Sequence, residues 1–86
     1  MNLVAFDTET HLIQPGLLTP KLVCVSVAYA DDSDVALYDR FQGTDVIELR
    51  LKDENAHLVG HNVAYDLGVL CARRPELIPM VFDAYE

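Results

Sequence analysis

The 86 residues carry 6 Lys+Arg against 14 Asp+Glu, a formal net charge of −8, and 51% of them are hydrophobic. So apolar a chain is not a disordered acidic tail, and so acidic a chain is not a basic nucleic-acid-binding patch protein. The longest mostly apolar stretch, Leu22 to Ala30, falls far short of the roughly 20 residues that span a bilayer, and Met1–Thr10 lacks the basic start of a signal peptide, so no membrane partner is expected.

One domain is the limit at this length. Leu3-Val4-Ala5-Phe6 is a short apolar run ending in acid and predicts a buried strand. His11 to Lys21, with Pro15, Gly16 and Pro20, marks a loop that is unusually rich in Leu12, Ile13, Leu17 and Leu18. Leu22 to Tyr29, rich in β-branched residues, predicts a central strand. The Asp31-Asp32-Ser33 turn and the Val35–Tyr38 run complete an antiparallel hairpin, and Asp31, Asp32 and Asp34 read as a solvated turn.

Thr44 to Asn55 mixes the helical and extended periods; a short helix capped by Thr44 is expected, with Asp45 and Glu48 near its N-terminus. Leu58-Val59-Gly60 predicts a strand running into His61-Asn62. Val63, Leu67, Leu70 and Cys71 then form a one-sided helical stripe, with Asn62 as its N-cap and Arg73-Arg74 before Pro75 at its end. Ile78 to Phe82 predicts a last strand, ending at Asp83, an acid read as structural or solvated. The order β-β-β-(α)-β-α-β implies a right-handed crossover, at least one parallel pair and an α/β fold with a mixed sheet. Cys24 and Cys71 lie in apolar runs without metal spacing and read as free thiols; a disulfide between them has no positive support. The three histidines form no zinc-type cluster, and His61 reads as structural.

Three acids fall where an open α/β sheet places its chemistry, at the carboxyl ends of strands. Asp7 and Glu9 are spaced i, i+2 and leave an extended backbone on the same face. Asp66 lies one turn into the helix after the Leu58–Gly60 strand and, if the first and fourth strands are neighbours, points toward Asp7 across one crevice. Carboxylates converging without a nearby Lys or Arg suit hard divalent cations. Taken singly, each acid has a plainer explanation: a chance pair, or a first-turn helix acid.

The stretch Phe6-Asp7-Thr8-Glu9-Thr10 is similar to the first motif of the DEDD-type 3′–5′ exonucleases, and Gly60-His61-Asn62-Val63-Ala64-Tyr65-Asp66 resembles their second. Pro79–Asp83 looks like the strand that follows in the proofreading domain of family A, polymerase I-like DNA polymerases, and the His11–Pro20 loop with Leu22–Val25 looks like the phage type. The resemblance implies a ribonuclease H-like fold over residues 1–86. It also implies hydrolysis of single-stranded DNA 3′ ends with two divalent cations, Mg²⁺ or Mn²⁺, about 3.5–4 Å apart. By the same resemblance Asp7, Glu9 and Asp66 are the catalytic metal ligands, and Thr10, Asn62 and Tyr65 contact the strand. Leu12 or Ile13 then wedges against the terminal bases. A tucked-in loop explains the apolar residues 12–18 equally well. The implied setting is a bacterial or phage-infected host cytoplasm.

The family has a fourth carboxylate, in a third motif, and Tyr85-Glu86 does not reproduce it. The chain is therefore expected to be the N-terminal part of such a domain, truncated before its C-terminal helices. Loss of one positioning group then slows it by about 10²-fold or more. The partners expected are the DNA strand and a DNA polymerase domain or the remainder of the exonuclease domain. Two alternatives stand beside this reading: a non-catalytic module that self-associates through an uncovered sheet face or binds a polymerase, and an RNA exonuclease like RNase D or oligoribonuclease.

Overall fold

A computed structural model describes residues 2–11, 21–30 and 35–85. In chain order it contains β1 (Asn2–Thr10), β2 (Leu22–Tyr29), β3 (Val35–Asp39), α1 (Arg40–Lys52), β4 (Ala56–Val59), α2 (Val63–Arg73) and α3 (Leu77–Tyr85). The four strands form one sheet in the order β3-β2-β1-β4. The β1/β2 and β2/β3 pairs are antiparallel, while β4 lies parallel to β1. The fold is α/β with a mixed sheet, and both the expected hairpin and the expected neighbourhood of the first and fourth strands are formed. Among the described residues no helix is long and apolar enough to cross a membrane. The Asp31–Asp34 turn lies outside the described residues.

Because side chains alternate along a strand, β1 sends Val4, Phe6 and Thr8 to one face and Leu3, Ala5, Asp7 and Glu9 to the other. Pairing Phe6 with Val27, Thr8 with Val25 and Val4 with Leu58 puts these residues together on the first face. There Val4, Phe6, Val25, Val27 and Leu58 meet Ile47 of α1, Leu67, Val69 and Leu70 of α2 and Leu77 of α3 in one buried cluster. The opposite face carries no helix among the described residues, and Leu3, Val35 and Leu37 are exposed on it.

The first helix starts four residues before the expected Thr44. Asp39, in extended conformation, caps it by accepting the Gln42 N–H at 2.8 Å, so the acid ending β3 also opens the helix. Thr44 is fully buried and its Oγ1 donates back to the Arg40 carbonyl at 2.6 Å. Gly43 lets this turn lie on the sheet: a Cβ there would stand 2.6 Å from Val25 Cγ2. Of the apolar residues Val46, Ile47, Leu49 and Leu51, only Ile47 is buried, which is why the sequence shows no clear helical stripe.

The second correction concerns residues 78–82, which form part of a helix rather than a strand. Leu77, Met80 and Val81 are spaced i, i+3, i+4 and turn toward the core. Pro79 is tolerated because it lies in the first helical turn, where the missing N–H has no partner to lose. The helix α2 agrees with expectation, with Arg73 in its last turn and Arg74 as C-cap; Asn62 holds the N-cap position, but its side chain makes no capping hydrogen bond. Cys24 and Cys71 are free, half-buried thiols, and burial pushes the Cys71 thiol up from its ordinary pKa.

Candidate functional site

Asp7 and Glu9 both stand exposed on the open face at the carboxyl end of β1. Opposite them in register are Ser26 and Cys24 of β2. Between Glu9 and Thr10 the register slips, so that Thr10 pairs with Leu22 and Val23 is passed over. An irregularity of this kind adds local twist and re-aims side chains at a strand end. Asp7 borders a shallow groove with Ser26, Val35, Gly60 and His61. No Lys or Arg lines it, so nothing cationic in the described residues neutralises Asp7 there. His61, expected to be structural, is instead an exposed neighbour of this groove. Only the β1/β4 pairing brings it there, and no local sequence signal announces it.

Asp66 is placed differently. It is almost fully buried, and its Oδ1 accepts a 2.5 Å hydrogen bond from Thr8 Oγ1. Thr8 points to the helix-covered face, so Asp66 takes the side opposite to Asp7 and Glu9. A buried carboxylate needs such a donor, since leaving it unpaired is costly. Gly60 lies close to both sides. A Cβ on it would lie 2.9 Å from the Phe6 carbonyl oxygen and 3.8 Å from Asp66 Oδ2, while Gly60 itself lines the Asp7 groove.

The nearby Thr10 Oγ1 and Tyr65 hydroxyl are 3.3 Å apart and share a hydrogen bond, tying the end of β1 to the first turn of α2. Asn62 is exposed at the head of α2, with its carbonyl accepting the Asp66 N–H at 3.0 Å. Thr10, Asn62, Tyr65 and Asp66 thus gather around the start of α2. Leu12 and Ile13 lie outside the described residues.

As donors, the three carboxylates suit a hard divalent cation. As placed, they do not form a closed set: two face outward, the third is held by Thr8 on the other side of the sheet. Among the described residues no group of three or more His, Cys, Asp or Glu stands together as a metal-holding cluster. The expected convergence in a single crevice is therefore not formed here.

A separate ion-pair network braces the far side of the helices. Arg74 Nη2 reaches Asp45 at 2.7 Å and its Nη1 reaches Glu48 at 3.1 Å, while Lys52 meets the other Glu48 oxygen at 3.1 Å. The Lys52 hydrogen bond first, then that from Arg74, holds the Glu48 carboxyl below the usual carboxylate range. Bonds to Asp45 and Glu48 push Arg74 upward. Asp45 and Glu48, expected at a helix N-terminus, serve instead to fasten α1 to the end of α2.

The family model of the 3′–5′ exonuclease of family A DNA polymerases matches residues 1–85, a span that includes both carboxylate motifs and all three helices. No curated protein and no solved structure gives a significant match. The chain belongs to the 3′–5′ exonuclease family of the family A DNA polymerases.

Proposed function

We propose that this chain contributes to metal-dependent removal of nucleotides from the 3′ end of single-stranded DNA, the proofreading reaction of a DNA polymerase. The observation that carries the reading is the exposed Asp7/Glu9 pair at the carboxyl end of β1, within a chain of this family. Asp7 and Glu9 offer carboxylate oxygens to solvent beside a groove without cations. Asp66 would join them as a ligand only if its bond to Thr8 opened. Two divalent cations, Mg²⁺ or Mn²⁺, supply an acidified water and a stabilised leaving oxygen when bound. Thr10, Asn62 and Tyr65 hold the terminal nucleotides against this end of the sheet.

The test is shortening of a 5′-labelled single strand from its 3′ end in Mn²⁺. The expected result is chelator-sensitive release that Asp7→Ala reduces by about 10²-fold or more. Wild-type release no faster than that of Asp7→Ala would overturn the reading. Exposed Leu3, Val35 and Leu37 favour a second reading, a face that self-associates or seats a polymerase. A monomer in sedimentation that binds no hydrophobic dye would remove it.

A further inference from the structure

Half of the chain's six Lys and Arg residues line one cleft. It has a volume of about 600 Å³ and lies where the end of β1, the start of β2, the start of α1 and the end of α2 meet. Lys21, Arg40 and Arg73 surround it together with His11, over the apolar side chains of Leu22 and Val69. Among the described residues no carboxylate lines it, although the chain carries 14. Among the described residues none of these three cations has an ion-pair partner, whereas Lys52 and Arg74 are both paired and Arg50 lies 5.9 Å over the Tyr29 ring. The acid next to Arg40 in sequence, Asp39, accepts the Gln42 N–H and makes no ion pair with Arg40. Residues 12–20, which join His11 to Lys21, contain no acid.

The cations are also held in position. The exposed Phe41 ring is shared by two guanidinium groups, 4.9 Å from that of Arg40 and 4.7 Å from that of Arg73, which restrains both. Arg40 stands at the positive end of the α1 dipole, where a cation is disfavoured. Gathering three like charges, one of them at a helix N-terminus, is unfavourable until an anion joins them. A planar guanidinium fork is also the side chain best shaped for phosphate.

The cleft adjoins the candidate site. His11 follows Thr10, which is bonded to Tyr65, and Arg73 lies seven residues beyond Asp66 on α2, about 10 Å along the helix axis. We propose that this cleft binds the phosphate backbone of the single strand whose 3′ end is presented to Asp7 and Glu9, with Lys21, Arg40 and Arg73 each neutralising one phosphate. This inference rests on the function proposed above. It explains how a chain of net charge −8 holds a polyanion: no acid among the described residues lines the cleft, and the strand meets a local cationic surface.

The test is strand binding without divalent metal, measured by fluorescence anisotropy of a labelled single-stranded oligonucleotide in EDTA as salt is raised. Three phosphate contacts predict that log affinity falls against log salt with a slope of about −2, since each contact on a single strand contributes about −0.7. Lys21→Gln, Arg40→Gln and Arg73→Gln should each lower the slope by about 0.7, and the triple variant should abolish it. Lys52→Gln, outside the cleft, should change nothing. Circular dichroism checks each fold; if the Arg40 variant unfolds, exposed Lys21→Gln and Arg73→Gln decide. No strand binding by the wild type at low salt would overturn the proposal, as would an unchanged slope in the cleft variants or an equal fall in Lys52→Gln. Displacement of the strand by inorganic phosphate at equal concentration would also overturn it. Because no metal is present, the two readings separate. Slopes that fall as expected without hydrolysis remove the exonuclease reading alone, and hydrolysis with unchanged slopes removes the cleft alone.

Discussion

On the helix-covered face of the sheet Val4, Phe6, Val25 and Val27 are between 0% and 3% exposed, while on the other face Leu3, Val35 and Leu37 remain 45%, 65% and 72% exposed. The same alternating strands supply both sets, so the difference comes from the helices and not from the strands. The division extends to the candidate site. Asp66, on the covered side, is fixed by Thr8, and Asp7 and Glu9, on the open side, stand exposed. One face holds the buried core and the other leaves two carboxylates exposed, with Gly60 between them.

The largest effect should come from cutting into the covered face. Ile47 is fully buried, and Ile47→Ala should cost about 2–5 kcal/mol in chemical denaturation. Leu37→Ala on the open face should change stability by no more than about 0.5 kcal/mol. Equal losses at the two positions would mean that the open face is covered in solution. Next in size is Gly43→Ala, which forces a methyl group against Val25 and should cost about 1–3 kcal/mol while leaving the Asp7 groove intact. Thr8→Val sharpens the comparison at the site itself. It removes the named donor to buried Asp66 without changing shape, and about 1–3 kcal/mol should be lost at neutral pH, read from the denaturation midpoint.

The smallest effect concerns the Glu48 network. Its carboxyl titrates lower in the folded chain than in the unfolded one, so its contribution is complete above the unfolded value of about 4.3. That contribution shrinks as pH falls through the lower folded value. The stability difference between wild type and Glu48→Gln should therefore be constant near neutrality and narrow on acidification. A difference that widens in acid would contradict this assignment.

Much of this organisation is legible in the sequence. The Leu22–Tyr29 run gives its strand to the residue, and the Val63, Leu67, Leu70 stripe gives α2. The first helix is obscured because its contact with the sheet runs through Gly43, Thr44 and Ile47, only one of which is large and apolar. The last helix is hidden by Pro79 and by the β-like composition of residues 78–82; the Leu77, Met80, Val81 spacing was the better signal. At the site, the i, i+2 rule places Asp7 and Glu9 together, but it equally places Thr8 opposite, and Thr8 is what Asp66 meets. The cationic cleft is invisible to motif reading, because Lys21, Arg40 and Arg73 come from three separate segments joined only by the fold.

The central claim is that the open-face pair Asp7 and Glu9, rather than the buried Asp66, is the point at which a divalent cation first enters. A calorimetric Mn²⁺ titration of the wild type, Asp7→Ala and Thr8→Val tests this most directly. The account predicts binding by the wild type, its loss in Asp7→Ala and its retention or strengthening in Thr8→Val, where Asp66 is released. No binding by the wild type at millimolar Mn²⁺, or binding that Asp7→Ala leaves unchanged, would contradict it.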